Sequence, residues 1–219
     1  MPSNKQQINN TANQILMCTP VMPVMVINDL ADAVPLAKAL VAGGIKVLEI
    51  TLRSAVAFDA IAEIIEHVPE AIVGAGTVVS VEQLKKVEAL GVKFALSPGL
   101  TECLLKAAHE MELAYIPGIA SASELMLGLQ YNYHTFKLFP ASAVGGTEML
   151  NALGGPFPEV RFCPTGGVTE ENFMQYLALP NVCCVGGSWL LPKKIVEEKN
   201  WQAITDIAKA TIKLSGGQT

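Results

Sequence analysis

The chain has 219 residues, within the range of roughly 200–250 over which α/β barrels run as a single domain. It is 51% hydrophobic and 16% charged, below the ~25% charged residues of an average soluble protein, so it can bury a large core and is not globally disordered. Fifteen Lys plus Arg against 20 Asp plus Glu give a formal charge of −5, a balance that argues against a nucleic-acid binder.

The apolar runs are broken by Pro, Gly or charge well before ~18 residues, so no membrane span is expected. The opening MPSNKQQINNTANQ is polar, and nothing in it reads as a secretory signal. Residues 4–17 can form a helix ahead of the first strand. Apolar, β-rich runs then follow: VMPVMVI (21–27), KVLEI (46–50), AIVGA (71–75), KFALS (93–97), LAYIP (113–117), TFKLF (135–139), VRFCPT (160–165) and VCCVG (182–186). Ala/Leu/Glu-rich segments with helical period lie between them. The first of these is expected to be capped near Asp32, which places Pro35 in the first turn, where a missing N–H costs little. Gly43, Gly44 and Gly91 mark helix ends. Ser80–Gln83 and Ser121–Glu124 have the spacing of a capping box, and Thr101 and Thr169 stand where N-caps are expected.

Continuous apolar strands alternating with helices imply parallel strands covered on both faces. Eight such units predict a single-domain (β/α)₈ barrel over residues 1–219, with an extra N-terminal helix. The alternative is an open doubly wound sheet, but no G-x-G-x-x-G follows the first strand.

The five cysteines, Cys18, Cys103, Cys163, Cys183 and Cys184, form no C-x-x-C pair and read as reduced thiols. His67, His109 and His134 are scattered, so neither a protein-bound catalytic metal nor a cofactor is expected.

A barrel carries its active site at the C-terminal ends of its strands, so polar residues there are informative. The second strand gives Glu49, Thr51 and Arg53 at period two, and the third ends in Gly74-Ala-Gly-Thr77. The fourth ends in Ser97-Pro98-Gly99 and the fifth in Pro117-Gly118. The sixth carries Lys137, the seventh ends in Thr165-Gly166-Gly167 and the eighth in Gly186-Gly187-Ser188.

Lys137 stands among Phe136, Leu138 and Phe139 in a segment expected to be buried on both faces. Burying an ammonium is costly, and a neutral amine is a nucleophile suited to forming an imine with a ketone. Glu49, between Leu48 and Ile50, lies on another even-numbered strand, and alternate strands fill shared layers of a barrel. The two side chains are therefore expected to meet in the interior, as an imine-forming lysine and a proton-shuttling carboxylate. A lysine at an edge, or a buried ion pair serving only structure, is the competing reading. Thr165, Gly166 and Gly167, and Gly186, Gly187 and Ser188 with its hydroxyl, fall on the two loops where such barrels hold phosphate, although plain tight turns also use glycine. Arg53 offers a fork for the carboxylate of a 2-oxo acid, or is a solvated surface arginine.

Taken together, PVMVI, AVPLAKALVAGG, LEITLRS, VGAGTV, SPGLTE, PGIASASELMLG, FKLFPA, RFCPTGGV and GGSWL resemble the bacterial 2-keto-3-deoxy-6-phosphogluconate (KDPG) and 4-hydroxy-2-oxoglutarate (KHG) aldolases. The resemblance covers about residues 15 to 215. It implies a metal-independent class I aldolase, a homotrimer in the cytoplasm, acting on small phosphorylated 2-oxo acids and releasing pyruvate. It assigns the Schiff base to Lys137 and proton transfer to Glu49. Arg53 and Thr77 would hold the pyruvate portion, with Pro98 and Phe139 against it. Thr165, Gly166, Gly167, Gly187 and Ser188 would face the distal end and its phosphate. Three other readings remain: the galactonate-derived aldolase, which differs in C4 configuration; another phosphate-binding barrel such as an isomerase or decarboxylase; and a non-catalytic sugar-phosphate sensor.

Overall fold

A computed structural model describes residues 4–216, with side chains from residue 11 onward. Helix α1 (Asn4–Met17) precedes strand β1 (Val21–Met25). Helices and strands then alternate through α2 (Ala33–Ala42), β2 (Val47–Thr51), α3 (Ala57–His67), β3 (Ile72–Gly76), α4 (Val81–Ala89), β4 (Phe94–Leu96) and α5 (Glu102–Glu110). The second half runs β5 (Ala114–Ile116), β6 (Gly118–Ile119), α6 (Ala122–Gln130), β7 (Thr135–Leu138), α7 (Gly146–Gly154) and β8 (Arg161–Pro164). It ends with α8 (Phe173–Leu177), β9 (Val185–Gly187), α9 (Lys193–Glu197) and α10 (Trp201–Leu214). Each run read as a strand from sequence holds one.

Every strand pairing is parallel. Six strands form one sheet in the order β5-β4-β3-β2-β1-β9, and three form another in the order β6-β7-β8. Strands β5 and β6 are separated by the single residue Pro117, which has no N–H to give a ladder. On the other side, bridges Phe162↔Val182 and Thr165↔Gly186 tie the β8 strand to the segment around β9.

The pleat sorts side chains into two apolar clusters, because successive residues of a strand point to opposite faces. Val21, Met25, Leu48, Ile50, Ala95, Tyr115, Phe136, Leu138, Phe162 and Val185 pack against the helices in the larger cluster. Met22, Val47, Phe94, Leu96, Ala114, Ile116, Cys163 and Cys184 alternate with them and form a second cluster. Ala12, Ile15 and Leu16 of α1 join that second cluster, and α1 packs on β5 and β7. Val47, Phe94 and Ala114 begin their strands, so the helix covers the N-terminal ends. On β2 and β7 the positions in phase with this inner face carry Glu49 and Thr51, and Thr135 and Lys137.

Helix starts follow the expected chemistry at three of the five positions. Ser80 Oγ accepts from Gln83 N (3.2 Å), Ser121 Oγ from Glu124 N (3.3 Å) and Thr101 Oγ1 from Leu104 N (3.3 Å). Helix α2 does start after Asp32, but that carboxylate makes no cap bond and instead takes Lys199 Nζ at 2.8 Å. Thr169 does not cap a helix: the Asn172 side chain accepts from Thr169 N (2.8 Å), competing with the backbone, and α8 starts after Asn172.

Candidate active site

A pocket of about 730 Å³ opens where the strands end, a size usual for small-molecule sites. Glu49, Arg53, Thr77, Pro98, Lys137, Phe139, Thr165, Gly166, Gly167 and Ser188 all line it, together with Gly186. Ten of the eleven candidates read from sequence therefore meet around one cavity.

Lys137 and Glu49 lie in its depth. Lys137 is 4% exposed and Glu49 fully buried, and Lys137 Nζ donates to Glu49 Oε1 at 3.0 Å. The register places both by backbone pairing: Val24↔Glu49 and Glu49↔Gly74 on one side, Gly118↔Lys137 and Lys137↔Cys163 on the other. Lys137 N also donates to Pro117 O at 2.9 Å, across the break between β5 and β6. Glu49 Oε2 is buried without a hydrogen-bond partner. An unmet acceptor in such a place is costly, and it is rare unless a ligand, water or reaction uses it. The Lys137 ammonium stands 5.5 Å from the centroid of the Phe139 ring. A buried ion pair adds little net stability over apolar packing, so structure alone is a weak account of this one.

Room for the Glu49 carboxylate comes from β3. A Cβ placed on Gly76 would overlap Glu49 Oε1 and stand 2.6 Å from Glu49 Cδ and Cγ. The next residue, Thr77, has φ of 60°, a left-handed conformation that a β-branched residue rarely adopts. Such strain persists where the surroundings impose it, and it clusters at binding sites. Beside it, Thr51 Oγ1 donates to Met25 O (2.7 Å) and accepts from Arg53 Nε (3.2 Å), which ties the exposed arginine to the end of β2. Pro98 is placed by Ser97, whose hydroxyl meets Tyr115 OH at 2.6 Å and accepts from Gly118 N at 3.3 Å.

The distal end is built from glycine. Gly166 and Gly167 have φ of +95° and +77°, and a side chain on Gly167 would fall on Ser142 Oγ. Gly187 does not line the pocket, whereas Gly186 does. The pleat decides this: Cys184 and Gly186 point inward, while Val185 and Gly187 point toward the helices. A Cβ on Gly187 would overlap the Trp189 ring; one on Gly186 would overlap Thr165 Oγ1. The missing side chain of Gly186 thus leaves the Thr165 hydroxyl its space. Sequence reading had Gly186 only as one residue of the GGS run and not as the neighbour of Thr165, and it missed Gly76 and the rim residues Asn28, Leu191, Lys193 and Glu197.

Among the described residues, no three His, Cys, Asp or Glu side chains group as a metal ion would require, and no helix is long and apolar enough to cross a membrane. The arrangement offers a buried amine, a carboxylate in contact with it, and an arginine and a pair of glycines on the walls of the same cavity.

Comparison with known proteins gives this arrangement its context. The family model for KDPG and KHG aldolase matches residues 12–207. A 2-dehydro-3-deoxy-phosphogluconate aldolase of Pseudoalteromonas atlantica is 54% identical over 198 residues, covering 90% of this chain and 92% of that protein. The KHG/KDPG aldolase of Escherichia coli K12 is 54% identical over 202 residues, covering 92% and 95%. The crystal structure of a KDPG aldolase from Legionella pneumophila, with pyruvate captured as a covalent carbinolamine intermediate, is 50% identical. It superposes with a TM-score of 0.90 over 91% of this chain and 97% of that one.

Proposed function

Because the chain belongs to the KDPG and KHG aldolase family, we propose that Lys137 is its Schiff-base nucleophile and Glu49 the group that moves protons beside it. The protein is a carbon–carbon lyase of the class I type. It cleaves 2-dehydro-3-deoxy-6-phosphogluconate to pyruvate and glyceraldehyde 3-phosphate, and 4-hydroxy-2-oxoglutarate to pyruvate and glyoxylate. The observation that carries the residue assignment is the 3.0 Å contact between two buried side chains, one of which keeps an unused carboxylate oxygen.

The chemistry follows from that contact. Lys137 Nζ, neutral when it reacts, attacks the C2 ketone. Glu49 gives and takes protons as the carbinolamine loses water to leave a protonated imine. That cation is the electron sink: as the C4 hydroxyl passes its proton through water to the Glu49 carboxylate, the C3–C4 bond breaks and its electron pair enters the imine as an enamine. The aldehyde departs, C3 is protonated, and hydrolysis frees pyruvate and Lys137. Arg53 and Thr77 hold the pyruvyl carboxylate, with Pro98 and Phe139 against its carbon skeleton. Thr165, Gly166, Gly167 and Ser188 face the distal end and its phosphate.

The same reading extends to architecture. The two sheets make one closed (β/α)₈ barrel, with α1 as an extra N-terminal helix and residues 1–219 as one domain. The single-residue interruption at Pro117 and the bridges Phe162↔Val182 and Thr165↔Gly186 support closure on both sides. The enzyme works as a homotrimer in the cytoplasm.

Borohydride reduction in the presence of pyruvate tests the assignment. Digestion and mass spectrometry should find the reduced pyruvyl adduct on the peptide carrying Lys137. An adduct on another lysine would overturn it, as would unchanged trapping in Lys137→Ala.

A further inference from the structure

The pocket lining includes three cationic side chains, and the reaction uses two of them, Arg53 and Lys137. The third is Lys193, on the first residue of α9, with Glu197 of the same helix also lining the cavity. Lys193 is five residues beyond Ser188. The chain turns back at once there, with Leu191 N donating to Ser188 O at 3.1 Å before Pro192 leads into the helix. Lys193 therefore starts its helix on the same pocket wall that carries Ser188.

Its restraint is loose. Lys193 Nζ and Glu197 Oε1 are 3.6 Å apart, with the two side chains 89% and 64% exposed. Exposed pairs of this kind hold little energy and yield to a stronger partner. A doubly charged phosphate is such a partner, and the ammonium on its four-carbon stem can swing to meet it. The protein as a whole carries a formal charge of −5, which repels an anionic substrate. A cation at the mouth offsets that repulsion where the substrate enters.

We propose that Lys193 is a specificity-determining residue, recruiting the phosphorylated end of the substrate to the pocket mouth, with Glu197 as its resting partner. This rests on the aldolase reading for the identity of the substrate. Lys194 provides an internal control. It is the next residue, it carries the same charge and pairs with Glu198 at 3.8 Å in the same exposed manner, yet it does not line the pocket.

The test runs the reaction in the condensation direction, with pyruvate and either glyceraldehyde 3-phosphate or plain glyceraldehyde. The preference for the phosphorylated aldehyde, as a ratio of kcat/KM values, should fall roughly three- to fivefold in Lys193→Ala, through KM, and its salt dependence should flatten. Lys194→Ala should keep the wild-type ratio, and Lys193→Arg should restore most of it. Equal ratios in Lys193→Ala and Lys194→Ala would overturn the proposal, as would a loss shared equally by both aldehydes. If the wild-type protein condenses neither aldehyde, the aldolase reading fails. Calorimetric titration with inorganic phosphate then decides Lys193 by itself: weaker binding in Lys193→Ala than in Lys194→Ala upholds its role, and equal binding overturns it.

Discussion

Gly76→Ala is the smallest change that should disable the site without touching a reacting group. The added methyl would lie 2.6 Å from Cδ and Cγ of Glu49 and overlap Oε1. Ordinary carbon–carbon contact needs ~3.5 Å, so the carboxylate must retreat by about 1 Å. The Lys137 Nζ–Oε1 distance, now 3.0 Å, would open toward about 4 Å, beyond a hydrogen bond. Overpacking of this kind costs about 1–3 kcal/mol of stability, and a displaced proton-transfer group costs roughly 10²–10⁴ in kcat. Pyruvate release followed through a coupled dehydrogenase gives kcat, and a thermal melt gives the stability loss. If the methyl acts through the carboxylate, the pair with Glu49→Gln will be strongly non-additive, and the double variant will turn over no more slowly than Glu49→Gln alone. A Gly76→Ala enzyme within twofold of wild-type kcat, or losses that simply multiply, would refute this account.

Glu49→Gln by itself should reduce turnover roughly 10²–10⁴-fold while the fold survives; near-normal turnover would make Glu49 a structural partner only. Ser188→Ala should lower kcat/KM on the phosphorylated substrate roughly ten- to a hundredfold and affect 4-hydroxy-2-oxoglutarate much less, and equal losses on both would assign Ser188 to the rim. Burial pushes the Tyr115 phenol from its ordinary 10 up to about 12, against a smaller opposing effect from its bond with Ser97, and burial raises Tyr133 as well. The native state then keeps protons that the unfolded chain releases, so stability holds below pH ~10 and falls between about 10 and 12, by about 2–3 kcal/mol for Tyr115 alone; denaturant titrations that stay level across that window would count against it. Burial also pushes the Cys183 thiol up to about 12, and the adjoining Cys163 together with burial raises Cys184, whereas Cys18 and Cys103 are exposed. Iodoacetamide at neutral pH should therefore add to Cys18 and Cys103 in the native protein and to all five cysteines in denaturant, as intact mass will record.

What was legible in the sequence was whatever broke a local pattern. A glutamate between Leu48 and Ile50 and a lysine between Phe136 and Leu138 violate the apolar run of a doubly covered strand. Their phase opposite to those apolar neighbours, on two strands of even number, was enough to turn them toward one another inside a barrel. The alternating strands and helices were equally plain, because burial on both faces leaves an unbroken apolar signature. What stayed hidden depends on neighbours distant in the chain. Gly76 and Gly186 matter for the side chain each makes room for, Glu49 and Thr165, and a glycine by itself does not announce its partner. Choosing Gly186 over Gly187 required the phase of a strand only three residues long. The left-handed backbone at Thr77 runs against residue preference, so composition pointed away from it. Thr169 looked like a cap because its type suits one, but an asparagine three residues later took its N–H.

The helix across the N-terminal ends of the strands has a kinetic corollary. With Ala12, Ile15 and Leu16 packed into the apolar layer beneath Glu49 and Lys137, the cavity is a blind alley rather than a passage. With the Schiff base assigned to Lys137 and the phosphate to Ser188 as proposed above, the pyruvyl group would sit at its closed end and the aldehyde half of the substrate would stand between it and the rim. Traffic in such an alley is last in, first out. The aldehyde must leave before pyruvate, and in condensation pyruvate must enter before the aldehyde. Product inhibition should bear the mark of that queue: the aldehyde competes for the pyruvyl-enzyme, and pyruvate for the empty one.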